Sequence, residues 1–330
     1  MKIAIIGAGI SAITIAQNLK DIANISLFEK SRGLGGRMAL RRSGPYEFDH
    51  GAQFFTAKTK SFKEFIEPLI RKNIIKRWDA RFAEFKKNKI LRSVTWDSEY
   101  PHYVGVPGMN SIPEYLSKGL NIKLNVKISK IIKNTNYGWE LFDDNLNNLG
   151  EFDWVISTAP AIQSAKILPG YFKYHNELMN KKMVGCFSLM LGFKKELPLL
   201  WDAALISDAD ISWVSVNSSK PDRVKSFSML VHSTNAWAEK HLSDESQDVI
   251  SYLTKETSEI IGYDTDQADH VALHAWKYAN ICKQPKSNLF IDYENKLASC
   301  GDWFIHGRIE SAFEAGLMMA KEIKKNNNLK

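Results

Sequence analysis

The chain has 330 residues, enough for one large domain or two interleaved ones. Its composition, 44% hydrophobic and 25% charged with no apolar run of the ~18 residues a membrane span needs, is that of a soluble globular protein and excludes disordered and membrane-spanning classes. The formal net charge of +7 is spread along the chain without a helix-turn-helix, zinc-finger or RNP pattern, so it speaks for an anionic small ligand rather than nucleic acid.

The first elements settle what kind of ligand. Residues Lys2–Ile6 form a short β-branched run that reads as a buried parallel strand. Ile10, Ile13, Ala16 and Leu19 then recur at helical spacing, and residues 25–28 read as a second strand. A secretory signal would need an unbroken apolar stretch, whereas this one is interrupted by Gly7, Gly9 and Ser11 and followed at once by polar residues. The β-α-β pattern carries Gly7-Ala-Gly9-Ile10-Ser11-Ala12, the GxGxxA form of the dinucleotide fingerprint. Gly7 permits the tight turn, Gly9 lets a diphosphate approach the backbone, and Ala12 keeps helix and strand close. The helix N-terminus offers unpaired N–H groups to phosphate. Glu29, twenty residues beyond Gly9 and followed by Lys30, is placed to accept from a ribose diol.

The next stretch, "KSRGLGGRMALRRSGPYEFDHGAQFF", places the doublet Gly35-Gly36 before Arg37, a bare backbone beside a fixed positive charge. Further on, "LNVKISKI" and "GWELFDD" alternate like antiparallel strands, and "FDWVISTAP" is a hydrophobic strand with a turn at its end. Residues 184–193, 211–217 and 227–232 read as sheet strands, and 243–261 as an amphipathic helix. His270 and His274 are four apart, but "HVALHAWKYA" reads as a strand and offers no third ligand, so no metal is expected. Near the end, a strand over 296–300 runs into Gly301-Asp302, and a helix begins near Arg308 or Ile309. The tail 324–330 is polar. Three widely spaced cysteines (Cys186, Cys282, Cys300) fit a reducing cytoplasm better than a disulfide framework. GxSxG and P-loop motifs are missing, so hydrolase and kinase chemistry have no support.

The doublet Gly35-Gly36-Arg37, the Gly301-Asp302 turn and the fingerprint together resemble the flavoprotein superfamily of amine oxidases, phytoene desaturases, protoporphyrinogen oxidases and renalases. Within it, "DHGAQFFT", "YVGVPGMNSIPEYLS", "HAWKYA" and "GDWFIHGRIESAFEAG" resemble the renalase branch. The resemblance implies an α/β fold: a Rossmann-like FAD-binding domain in the glutathione-reductase-like, p-hydroxybenzoate-hydroxylase-like two-domain arrangement, interleaved with an α+β substrate domain on an antiparallel sheet. The FAD-binding domain would comprise residues 1–57, 101–163 and 269–330, and the substrate domain 58–100 and 164–268.

It also implies a site. FAD, held non-covalently, would touch Gly7, Gly9, Ile10, Ser11, Ala12, Glu29, Lys30, Gly36 and Arg37. Gly51, Ala52 and Gln53 would run beside the flavin, and the backbone of Val126 would hold the adenine. Gly301 and Asp302 would meet the ribityl chain, with Arg308, Ile309 and Ala312 opening a helix aimed at the pyrimidine end of the ring. His50, Gln53, Trp276 and Tyr278 are pocket candidates, with no assigned acid or base. The implied reaction is hydride transfer to flavin N5 from an isomeric (2- or 6-) dihydro-NAD(P), with O2 reduced to H2O2. Relatives of bacterial origin often carry Arg where Ala275 and Lys277 flank Trp276, a departure that bears on the substrate. An amine oxidase or desaturase-like enzyme, and a flavin-free carrier of the same fold, are the competing readings.

Overall fold

A computed structural model describes residues 1–134, 138–282 and 289–326; the last four residues of the polar tail lie outside them. The chain divides into two compact units, Met1–Gly36 with Pro113–Met183 and Ile281–Lys330, and Arg37–Ile112 with Val184–Asn280.

The first unit is built on a six-stranded sheet. Its strands run, in order, Phe290–Asp292, Leu297–Ser299, Trp154–Ser157, Lys2–Ile6, Asn24–Glu29 and Ile122–Leu124. All neighbours are parallel except the first pair, which is antiparallel. The central strands are buried on both sides and are correspondingly apolar throughout, as Lys2–Ile6 shows with Ile3, Ala4 and Ile5 at zero exposure. Helix Ile10–Leu19 buries eight of its ten residues. Its partner is the long helix Ile309–Asn326, which comes so close that a side chain at Gly316 would lie 2.6 Å from the Ser11 carbonyl oxygen. The Ser11 hydroxyl donates to the Ala312 carbonyl at 2.7 Å across the same contact. The expected antiparallel ladder is present as Ile128–Lys133, Trp139–Asp143 and Asn148–Phe152.

The second unit is built on a seven-stranded sheet ordered His270–Ile281, Met183–Phe193, Phe227–Ser233, Ile211–Val216, Ala203–Ser207, Arg81–Lys86 and Lys89–Thr95. It is not wholly antiparallel, because Ala203–Ser207 and Arg81–Lys86 pair in parallel. The two strands belong to separate passages of the chain through this unit, so no hairpin forces them to run in opposite directions. One face buries Ala83, Phe85, Leu189, Leu191, Val214, Met229 and Val231 with helix Ser246–Ile261. Period-two alternation sends Phe82, Ser188, Met190, Trp213, Ser215, Leu230 and His232 to the other face.

The crossings between units fall elsewhere than the sequence reading placed them, after 36, 112, 183 and 280. Residues 37–57 go with the second unit because Tyr46 and Phe48 pack with Met190 and Leu230, and a side chain at Gly192 would strike the Tyr46 ring at 2.6 Å. Tyr103–Gly105 follows because it pairs with Ile75–Arg77. Residues 164–183 stay with the first unit, where Tyr174 stacks on Phe290 with ring centroids 4.9 Å apart. The strand His270–Ile281 edges the seven-stranded sheet.

Candidate functional site

The turn after the first strand is shaped by its neighbours. Gly7 has φ +105°, and a side chain there would lie 2.7 Å from the Thr158 hydroxyl, which donates to the Ile6 carbonyl at 3.0 Å. Gly9 caps helix Ile10–Leu19 with no side chain satisfying the first-turn N–H groups. Among the described residues nothing lies within 4 Å of a side chain built at Gly9. Open backbone, a helix N-terminus and orphan donors together suit an anionic diphosphate.

Glu29, buried at the end of the second parallel strand, links this loop to the next. One carboxylate oxygen accepts from the Ala8 N–H at 2.9 Å and the other from the Ser31 N–H at 2.8 Å. Both bonds fix the carboxylate and leave lone pairs for a diol. The Gly35 N–H donates to the Ala8 carbonyl at 2.9 Å, so the two glycine motifs meet, and Gly36 (φ +57°) is likewise open. Lys30 donates to Gln163 at 3.2 Å. The Val126 N–H is already given to the Glu29 carbonyl at 2.9 Å, which leaves the Val126 carbonyl for an adenine.

At the same C-terminal edge of the sheet, the Trp303 indole sits where a side chain at Gly301 would be, and donates to the Ala159 carbonyl at 3.1 Å. The buried Asp302 receives the Ile305 and Gly307 N–H groups on its carbonyl, at 3.0 and 3.1 Å. Ile309 opens the long helix, with Arg308 exposed just before it and Ala312 half-buried.

The remaining expected residues lie in the second unit. Arg37 accepts the Ala52 N–H on its carbonyl at 2.8 Å and donates from its guanidinium to the Ala279 carbonyl at 2.9 Å. A side chain at Gly51 would meet the Arg37 carbonyl oxygen at 2.0 Å, so this segment must pass as bare backbone. The His50 carbonyl receives the Trp276 indole and the Ser188 hydroxyl, both at 2.7 Å. The His50 ring stacks on Trp276 at 5.3 Å and meets His274 edge-on at 5.1 Å. Burial, reinforced by His274, pushes His50 down to about 4. Tyr278 is half-buried on the same strand. His270 is a ring partner of Tyr46 and Phe48, at 5.9 and 5.7 Å.

Beneath this segment lies a group that the sequence pattern does not announce. Asp49, Lys220 and Arg223 are fully buried side chains, two cations to one carboxylate. Asp49 accepts from Lys220 at 3.1 Å, from Arg223 at 2.7 Å and from the Met109 N–H at 2.9 Å. Lys220 also donates to Asn217 at 2.9 Å and to Gln53 at 3.2 Å, and Gln53 accepts from Ser215 at 2.8 Å. Burial alone would raise the Asp49 carboxyl, but Lys220 and Arg223 hold it below the ordinary carboxylate range. Burial, with Arg223 beside it, brings Lys220 down to about 8. Burial and Lys220 bring His232 down to about 4. No local pattern marks Lys220 and Arg223, which flank Pro221-Asp222 and read as a solvated turn.

The fold and the glycine loop define an adenine-dinucleotide-binding α/β protein. Residues 5–69 match the NAD(P)-binding Rossmann-like domain family, and residues 80–324 match the flavin-containing amine oxidoreductase family. The fold is shared with cyclohexylamine oxidase from Brevibacterium oxydans IH-35A (TM-score 0.74, 12% identity, 99% of each chain covered). It is shared too with a protein provisionally described as a protoporphyrinogen oxidase from Exiguobacterium sp. 255-15 (TM-score 0.78, 12% identity, 98% of this chain and 99% of that one). Putrescine oxidase bound to putrescine aligns with TM-score 0.70 at 10% identity over 98% of this chain and 99% of its own. The second family match spans well over half of the sequence, so the chain belongs to the flavin-containing amine oxidoreductases. It is an FAD-dependent oxidoreductase. Among the described residues no helix is long and apolar enough to cross a membrane.

Proposed function

We propose that this chain is a renalase-like oxidase whose substrates are the 2- and 6-dihydro isomers of NAD(P), returned to NAD(P)+ while O2 is reduced to H2O2. The observation that carries the reading is how the second unit's polar groups are engaged. His50 and His232 are both held near 4, far from the value of a base working at neutral pH, and Lys220, brought down to about 8, spends its three donors on Asp49, Asn217 and Gln53. A dihydronicotinamide already has a hydride to give and becomes aromatic on losing it, so its oxidation requires no proton abstraction. Bound FAD supplies the two-electron acceptor and the passage of those electrons to O2.

The residues of the chain would bind and orient. Gly7, Gly9, Ile10, Ser11, Ala12, Gly36 and Arg37 would take the diphosphate, and Glu29 and Lys30 the adenosine ribose, with Val126 at the adenine. Asp302 would take the ribityl chain. Gly51, Ala52 and Gln53 would lie beside the ring, and His50, Trp276 and Tyr278 would wall the substrate pocket. The p-hydroxybenzoate-hydroxylase-like domain arrangement belongs to the same proposal.

The family match, and neighbours named for putrescine and cyclohexylamine, support an amine oxidase as the second reading. Anaerobic mixing of the FAD-loaded protein with each candidate separates the two. Rapid loss of visible flavin absorption with 6-dihydro-NAD(P) and none with amines supports the first; bleaching by amines alone sinks it.

A further inference from the structure

Within the second unit, five rings gather near the sheet face opposite the apolar core. Phe82 and Trp213 stand on strands of that sheet separated by Ala203–Ser207, while Phe54, Trp96 and His102 come from the loops around it. Trp96 stacks on His102 with centroids 3.7 Å apart and planes within 7°. Phe82 and Trp213 are nearly parallel to Trp96, at 24° and 20°, with centroids 5.2 and 6.4 Å away. Phe54 touches Trp96 and His102 at 5.0 Å and Trp213 at 5.5 Å. Each of the five is only half-buried, unlike the core aromatics Phe85 and Phe187 on the other face. A set of half-buried rings, four of them nearly parallel with Phe54 tilted across them, is a surface for stacking a flat ligand.

Two further observations narrow the ligand. Trp213 Nε1 is buried with no hydrogen-bond partner among the described residues, whereas the His102 ring bonds the Tyr100 backbone. That leaves an indole donor for an acceptor such as a carboxamide oxygen. The cluster also adjoins the buried charge. The Lys220 ammonium lies 5.4 Å from the ring centroid of Trp78, and Trp78 meets Trp96 edge-on at 5.4 Å. Lys220 belongs to a network with two cations to one carboxylate, so the potential here repels a further cation. The exposed carboxylates nearest in sequence are engaged elsewhere. Asp79 is 2.6 Å from Arg77, and Asp97 accepts the Glu99 N–H at 2.8 Å.

We propose that Phe54, Phe82, Trp96, His102 and Trp213 form a recognition site for a neutral, planar, amide-bearing heteroaromatic ring and reject alkylammonium ions. This deepens the dihydronicotinamide reading and rests on it for the identity of the molecule that carries the ring.

The test is calorimetric titration of the FAD-loaded protein with nicotinamide, which cannot be oxidised further, and with cyclohexylammonium chloride. Nicotinamide binds and cyclohexylammonium binds at least about tenfold more weakly, as expected where a flat ring stacks and an ammonium charge is repelled. Trp96→Ala weakens nicotinamide by about tenfold, Trp96→Phe restores most of it, and Trp213→Phe, which keeps a ring but removes the indole N–H, loses a smaller factor. Cyclohexylammonium binding as tightly as nicotinamide overturns the proposal, as does unchanged nicotinamide binding in Trp96→Ala with native circular dichroism and flavin content. Oxidation of dihydro-NAD(P) that nicotinamide fails to inhibit overturns the ring site while the proposed reaction stands. Nicotinamide binding that Trp96→Ala abolishes, in a protein whose flavin no dihydro-NAD(P) isomer bleaches, supports the ring site and removes the proposed reaction.

Discussion

The two units solve the problem of placing polar groups by opposite means. The first offers backbone: open glycines at positions 9 and 36, a helix N-terminus without a side-chain cap, and one carboxylate, Glu29, pinned by two N–H groups. The second buries charge: Asp49, Lys220 and Arg223 at zero side-chain exposure, cross-braced by Gln53 and Asn217. A backbone grip depends on spacing within thirty residues, whereas the buried network joins positions 171 and 174 apart. The first should respond to substitution mainly through cofactor retention, and the second through stability.

The sharpest way to break that contrast is Asp49→Ala. It leaves two buried cations without their carboxylate, and removing one partner of such a pair costs about 3–5 kcal/mol. Urea denaturation followed by circular dichroism should show that loss, and a change below about 1 kcal/mol would mean the network is hydrated. In the first unit, Glu29→Arg removes both anchoring bonds to Ala8 and Ser31 and the acceptor for the diol. Charged hydrogen bonds of about 1.5–3 kcal/mol translate into FAD retention weakened about 10- to 100-fold, read from the flavin-to-protein absorbance ratio after desalting. Gly316→Val would press on the Ser11 carbonyl and cost about 1–3 kcal/mol of stability as overpacking, with flavin loss following from the displaced first helix.

Acid should act on the second unit. His50 and His232 titrate near 4 in the folded protein and near 6.5 when unfolded. Between those values the unfolded chain binds more protons, so stability falls as pH drops from 6.5 towards 4. His232→Gln should flatten that part of the melting-temperature profile; an unchanged slope would mean that His232 contributes nothing to it. The smallest effect expected is from Thr234→Ala, which removes the side-chain acceptor for the Trp237 N–H at the start of helix Asn235–His241 and costs about 1 kcal/mol in a denaturant titration.

Much of the first unit could be read in advance because its signals are local. The glycine spacing, the strand before it, the acid after it and the Gly301-Asp302 turn each follow from neighbours along the chain. The long strands of the second unit were legible for the same reason, as apolar runs such as residues 184–193. The crossings were not, since nothing in residues 37–57 shows that Tyr46 will seat against Gly192. Lys220 and Arg223 were invisible because a Lys-Pro-Asp-Arg turn has the composition of a solvated loop. Only the fold, by bringing Asp49 to them, makes burial tolerable.

The contact of Ser11 with Ala312 spans 301 positions, and the glycine that permits it lies further still along the chain. A contact between positions so far apart carries a large loop-closure entropy, so the brace on the nucleotide loop belongs to the slower contacts to form as the chain folds. The glycine spacing is local and cheap to arrange, while the rigidity of the helix that presents it is set by a distant partner.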